Sequence, residues 1–238
     1  QSGPRLLPRG SAMIPWEVLG RAKVSASGEE ISLHRRGGEF SIKVEGSLLM
    51  DSTAHASEDA LADIACARLV SLPRASVLIG GLGMGFTLAA ALKRLRTDAR
   101  VSVAELVPAV VEWNRGPLSH LAGHPLRDGR VRVIEDDVAR LLRTERGAYD
   151  AILQDVDNGP EGLTLKSNDW LYSNAGLAAA YSALRPEGLL ALWSAKPDRR
   201  FGKRLRRAGF EVGEVPVRSR NAYRGAHYVV WTAARRER

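Results

Sequence analysis

The chain has a single cysteine, Cys66, so an internal disulfide is excluded, and no Cys-x-x-Cys pair or His/Cys cluster offers the spacing of a zinc site. No metal is expected. A lone thiol fits a reducing, cytoplasmic setting. Long hydrophobic runs are missing too: the longest candidates, 178–184 and 189–195, fall far short of the roughly 18 residues a membrane span requires. The first 13 residues have no periodicity and no apolar core, so they read as a linker or tag remnant outside the fold rather than a secretory signal.

What is present belongs to a globular protein. The 238 residues are 45% apolar and 26% charged, with a formal charge of +8, which excludes disorder. That length suits one large α/β domain with a small appendage.

Residues 14–53 form the appendage. Apolar and polar residues alternate over 18–24, 30–35 and 40–44, with turn punctuation at Ser27-Gly28, Gly37-Gly38 and Glu45-Gly46, the pattern of an antiparallel β-meander. Residues 54–238 form the larger, Rossmann-like unit. It opens with a helix, with Ser57-Glu58-Asp59 as N-cap and acidic first turn and Pro73 as its stop.

Beyond Ala75, short apolar runs without alternation recur at 77–79, 101–104, 131–134, 151–153 and 189–193, as expected of strands buried on both faces. Helical stretches separate them at 87–95, 108–115, 139–143 and 174–184, giving βα units and a parallel sheet. A last helix at 199–208 precedes two strands, 210–217 and 227–232, expected to be antiparallel.

The chemistry collects at the carboxyl ends of these strands. Gly80-Gly81-Leu82-Gly83-Met84-Gly85 joins the first strand to its helix, and Gly81, Gly83 and Gly85 let a ligand approach backbone amides at a helix N-terminus. The spacing G-x-G-x-G differs from the dinucleotide fingerprint G-x-G-x-x-G. Glu105 ends the second strand, where a carboxylate can accept hydrogen bonds from both hydroxyls of a ribose. The third strand ends in Glu135-Asp136-Asp137, and Asp137, with Asp136 as alternate, is placed to accept from the adenine amine or to cap a helix. The fourth delivers Asp155 and Asp157, followed by the turn Asn158-Gly159-Pro160. His55 with Glu58, and Asn168 with Tyr172, are candidates for an acceptor pocket, with helix capping and packing as the competing explanation.

This order of glycine turn, strand-two acid, E-D-D, Y-D-x-I-x-x-D and G-P loop behind a small β-domain resembles the spermidine synthase (polyamine aminopropyltransferase) family. The resemblance implies a seven-stranded, mostly parallel sheet of the class I methyltransferase type, a homodimer, and a donor that is decarboxylated S-adenosylmethionine. It further implies that Glu105 holds the ribose, Asp137 the adenine amine, and that Asp155 acts on the attacking amine of a small-molecule acceptor. Two departures stand out. Met84 occupies the place of the aspartate that holds the donor's amine, and the D-S-S-D-P loop reads D-V-D-N-G-P, with Asp157 one residue out of register. Met84 keeps intact S-adenosylmethionine in play as the donor, and with it methyl transfer to a small molecule. A nucleoside-binding relative without turnover is a further alternative.

Charge is unevenly spread. Residues 135–161 hold eight of the 27 acids against three arginines, whereas the cations gather at Arg199, Arg200, Lys203, Arg204, Arg206, Arg207, in the late loop at Arg218, Arg220 and Arg224, and in the C-terminal tail. An acidic crevice attracts cationic substrates. The basic surface keeps a nucleic-acid substrate as the weaker alternative, since D-N-G-P lacks the D/N-P-P-Y/F motif of enzymes that methylate exocyclic amines of bases.

Overall fold

The computed structural model describes residues 14–25, 27–156, 168–218 and 227–236. Asp157, the turn Asn158-Gly159-Pro160, Arg220 and Arg224 lie outside the described residues. The chain folds into two sheets. The first is antiparallel, with β1 (Glu17–Lys23), β2 (Glu30–Arg36), β3 (Glu39–Val44) and β4 (Ser47–Asp51) in sequential order. Three strands are legible in the alternation; β4 escapes it because Leu48, Leu49 and Met50 form an apolar run with no polar partner face, beside a bulge between Ile42 and Lys43.

The larger sheet has seven strands: β5 (Ser76–Gly80), β6 (Arg100–Ala104), β7 (Val131–Ile134), β8 (Tyr149–Gln154), β9 (Leu184–Ser194), β10 (Phe210–Arg218) and β11 (His227–Arg235). Their order is β10-β11-β9-β8-β5-β6-β7. β5 to β9 are parallel, and β11 runs antiparallel between β9 and β10. The chain leaves β5 toward β6 on one side and returns to β8 on the other. The crevice beyond the carboxyl ends of β5 and β8 is therefore the topological switch point, where open α/β sheets bind ligands.

Both faces of this sheet are covered. Val77, Ile79, Val103 and Leu153 point toward α1 (Ala56–Cys66), α2 (Phe86–Arg94) and α3 (Pro108–Arg115), in a core that continues into Leu33 and Ile42 of the small sheet. Leu78, Ile152, Leu190 and Trp231 point the other way, against α4 (Val138–Thr144), α6 (Asn174–Ala183) and α7 (Arg199–Arg207), with the short α5 (Asp169–Tyr172) beside them. Burial on both sides explains why these strands carry no alternation.

The limits of α1 depart from expectation, and β9 and β11 run longer than their apolar cores, from Leu184 and to Arg235. α1 stops at Cys66 rather than at Pro73, and the chain continues in i to i+3 turns, Leu69 N–H to Cys66 O and Leu72 N–H to Leu69 O. Leu69 stays buried through the turn, so the apolar spacing outlasts the helix. At its start, His55 occupies the N-cap without a side-chain capping bond, and the Ser57 hydroxyl donates to Glu58 instead.

Phe201 is fully buried between Trp231 and Tyr172, with ring centroids 5.6 and 5.8 Å away. Phe201→Ala is expected to lower unfolding stability by about 3–5 kcal/mol; urea denaturation measures it, and a loss under 1 kcal/mol would mean that α7 is not packed as described.

Candidate active site

The glycine turn between β5 and α2 is held from several sides. Gly81, at φ +88°, passes so close to β8 that a Cβ there would lie 2.6 Å from the carbonyl oxygen of Asp155. Gly83, at φ +53°, leaves room for Met50 of β4, whose terminal carbon would sit 2.8 Å from an added Cβ. Both are positions only glycine fills without strain. Asn114 of α3 donates from Nδ2 to the Gly83 carbonyl at 2.8 Å, fixing the turn from behind.

Glu105 completes the arrangement. It is 8% exposed, and its two carboxylate oxygens accept from the backbone N–H of Leu82 and of Val107, both at 2.9 Å. Burial raises its pKa, against those N–H groups, which favour the anion. Each carboxylate oxygen has a second lone pair, so Glu105 can tie the turn to the end of β6 and still accept from a ligand hydroxyl.

The turn borders a cavity of about 320 Å³ beyond the strand ends. Gly81, Gly83, Glu105, Asp137 and Asp155 all line it, together with Glu58 and Asn168. Leu48, Met50 and Asp51 of the small sheet close one side, and Trp193 of β9 with Tyr228 of β11, ring centroids 5.1 Å apart, stand on another. Among the described residues, every ionisable side chain on the wall, apart from the Tyr228 phenol, is a carboxylate: Asp51, Glu58, Glu105, Asp137 and Asp155.

Two of these carboxylates interact. Asp155, just past β8, accepts at Oδ2 from the Thr87 hydroxyl at 2.6 Å. Burial raises its pKa, with the Thr87 bond opposing. Glu58, in the first turn of α1, is pushed up to about 7 by burial and by the Asp155 charge. Two enclosed carboxylates resist carrying two charges at once, and a cation between them relieves that repulsion.

Gly85, Asp136, His55 and Tyr172 are not among the residues that line this cavity. Gly85 (φ +83°) is the N-cap of α2 and faces Asn114 and Pro125. Asp136 accepts from the Asp137 N–H and lies 3.4 Å from Arg140. Asp137 caps α4 through the Ala139 N–H and also lines the cavity. His55 pairs with Asp59 at 3.0 Å and stacks on Phe86, and Tyr172 packs edge-on against Phe201. Met84 is buried in the core, so the turn presents no charge to the cavity. Among the described residues no cluster of metal-ligating side chains is found, and no helix is long and apolar enough to cross a membrane.

Sequence reasoning missed Thr87, Asn114, Met50, Asp51, Trp193 and Tyr228 as residues of the site. Of these, Thr87 alone carries a local signal: it follows the glycine turn by two residues, in the first turn of a helix whose N-terminus faces the site.

Comparison with solved structures places the fold. A spermidine synthase in complex with the transition-state analogue AdoDATO matches with a TM-score of 0.72 over 98% of this chain and 82% of its own, at 17% identity. The spermidine synthase of Thermotoga maritima matches with a TM-score of 0.71 over 92% of this chain and 72% of its own, at 16% identity. The chain has the spermidine synthase fold. That fold, small antiparallel sheet included, accounts for nearly all of its length. A methyltransferase is similar over less of the chain: the 1,6-didemethyltoxoflavin-N1-methyltransferase of Burkholderia thailandensis, with bound 1,6-didemethyltoxoflavin and S-adenosylhomocysteine, gives a TM-score of 0.55 over 78% of this chain and 80% of its own, at 23% identity. No protein-family model and no curated protein sequence matches the chain.

Two outcomes test the site's physical description. Gly81→Ala is expected to cost about 2 kcal/mol or more, because it combines a left-handed φ with a backbone clash; chemical denaturation measures it. The raised pKa of Glu58 means that the folded state binds more protons than the unfolded state between pH 4.5 and about 7. Stability is therefore highest below that window and falls as pH rises through it, by up to about 3 kcal/mol. Glu58→Gln should flatten this decline in urea titrations at pH 5 and pH 8; an unchanged slope would show that Glu58 is not the group responsible.

Proposed function

We propose that the chain is a transferase that moves an alkyl group, aminopropyl in the first instance, from a sulfonium nucleoside to a small-molecule amine. The observation that carries this reading is the wall of carboxylates around a nucleoside-sized cavity at the switch point, with no lysine or arginine among the described lining residues. Such a wall favours cationic substrates and disfavours the free carboxylate of an amino-acid donor. Decarboxylated S-adenosylmethionine fits it better than the intact molecule. Gly81 and Gly83 offer close backbone approach, Glu105 a ribose acceptor and Asp137 an acceptor for the adenine amine.

When bound, the donor supplies an electrophilic carbon on positively charged sulfur. The protein's share is alignment and proton handling. Trp193, Tyr228 and Met50 exclude water and restrict the acceptor's approach, converting the encounter into an oriented one. An alkylamine arrives protonated and is no nucleophile in that form. The Asp155–Glu58 pair binds the ammonium, and Asp155, whose pKa is raised, takes the proton as the nitrogen attacks. The new C–N bond forms as the C–S bond breaks, and the electron pair leaves on sulfur.

Methyl transfer from S-adenosylmethionine to a small molecule is the second reading, and buried Met84 favours it, because the turn lacks a charge that would hold the donor's amine. The exposed cations of α7, Arg199, Arg200, Lys203, Arg206 and Arg207, face solvent rather than the cavity and give nucleic acid a weaker place. Exposed Ile14, Trp16 and Val18 at the small sheet suit the contact face of a homodimer.

Calorimetry with S-adenosylmethionine, its decarboxylated form and methylthioadenosine separates these readings: tighter binding of the decarboxylated donor supports aminopropyl transfer, tighter binding of the intact donor supports methyl transfer, and no binding by any removes both. Asp155→Asn is expected to keep methylthioadenosine affinity while losing about 100-fold or more in turnover. Turnover of the wild type should rise with pH through the neutral range as the acid pair ionises, and a flat profile from pH 6 to 8 would take Asp155 and Glu58 out of the proton transfer.

A further inference from the structure

We infer that Thr87 is a positioning residue for Asp155: its hydroxyl fixes one carboxylate oxygen and thereby sets the other toward the amine. The inference rests on the reading of Asp155 as proton acceptor and deepens it.

The geometry is specific. A threonine in the first turn of a helix usually satisfies its hydroxyl locally, on a backbone group three or four residues away. Thr87 instead reaches across 68 positions of sequence to Asp155 Oδ2 at 2.6 Å, and it is 3% exposed. The short distance is that of a charge-assisted O–H to carboxylate bond. Asp155 Oδ1 has no protein hydrogen bond among the described residues, and the side chain borders the cavity.

The backbone of Asp155 is fixed independently. Its N–H donates to the Gly80 carbonyl at 3.0 Å, and its own carbonyl presses against the Cα face of Gly81. With main chain held by β5 and Oδ2 held by α2, the carboxylate has one free oxygen and one orientation. Other groups that share its cavity come from every neighbouring element: Glu58 of α1, Asp51 of β4, Glu105 after β6, Asp137 before α4, Asn168 before α5, Trp193 of β9 and Tyr228 of β11. Of these carboxylates, Glu58 is the one that feels the Asp155 charge. Thr87 is the one side-chain donor to Asp155 among the described residues, so it keeps the anion available as a base and directs the proton to Oδ1.

Thr87→Val removes the hydroxyl at nearly constant volume, and Thr87→Ser keeps the hydroxyl while losing a methyl group. The midpoint of Asp155 is read by carboxyl carbon NMR of aspartate-labelled protein, with the resonance assigned by its loss in Asp155→Asn. The midpoint should rise by about one pH unit in Thr87→Val and stay near wild type in Thr87→Ser. With decarboxylated S-adenosylmethionine and 1,4-diaminobutane, Thr87→Val should lose about tenfold in kcat at pH 7, with its acid limb moved to higher pH, while methylthioadenosine affinity changes less than twofold. Thr87→Ser should restore both. An unmoved midpoint in Thr87→Val, or equal impairment in Thr87→Ser, overturns the inference. If the wild type transfers nothing yet the midpoint moves only in Thr87→Val, the aminopropyl reading fails while the control of Asp155 by Thr87 stands.

Discussion

The arrangement depends on a carboxylate that spends both oxygens on the backbone. Glu105 accepts from Leu82 in the glycine turn and from Val107 at the entry to α3, so two loops that leave adjacent parallel strands are fixed to one buried group. Without it, the amides of the turn would face the cavity in no particular order, and a buried, unpaired N–H costs as much as a lost hydrogen bond. Its charge also begins the acidic lining that Asp137, Asp155, Glu58 and Asp51 continue. One side chain thus gives the crevice both its shape and its sign.

The second half of the crevice follows a different logic. Asp155 and Glu58 arrive from distant parts of the chain, one past the central strand β8 and one from the first turn of α1. Burial raises both pKa values, and for Glu58 the nearby Asp155 charge adds to it, a cost that a fold tolerates where a cation can offset it. Among the described residues no lysine or arginine lines this cavity, and the solvent face of α7 carries a dense basic cluster. The chain is basic overall and acidic around this cavity, so a cation at its mouth meets the local field rather than the net charge.

Much of this was legible in residue order. The double-sided burial of 77–79, 101–104 and 131–134 announced parallel strands, and helix α3 runs from Pro108 to Arg115, the span its pattern predicted. Glu105, Asp137 and Asp155 could be placed because strand ends in such a sheet converge on one edge. The rest depended on tertiary closeness that no local pattern records. Thr87 and Asn114 matter through single bonds to residues 68 and 31 positions away. β4 was invisible because its apolar run serves a cavity wall rather than an alternating face. Gly85, His55 and Tyr172 attracted notice for their chemistry and turned out to cap, pair and pack.

Met50 is where the two sheets become one object. Its thioether leans on the open face of Gly83, and its neighbours Leu48 and Asp51 form part of the same wall. The small sheet is therefore no detachable ornament: trimming the chain to its Rossmann-like portion would strip the crevice of a side and bare apolar core to water. A minimal fragment, or a chimera that exchanges the small sheet for a relative's, must carry a side chain of matching reach at position 50, or the glycine turn loses its lid.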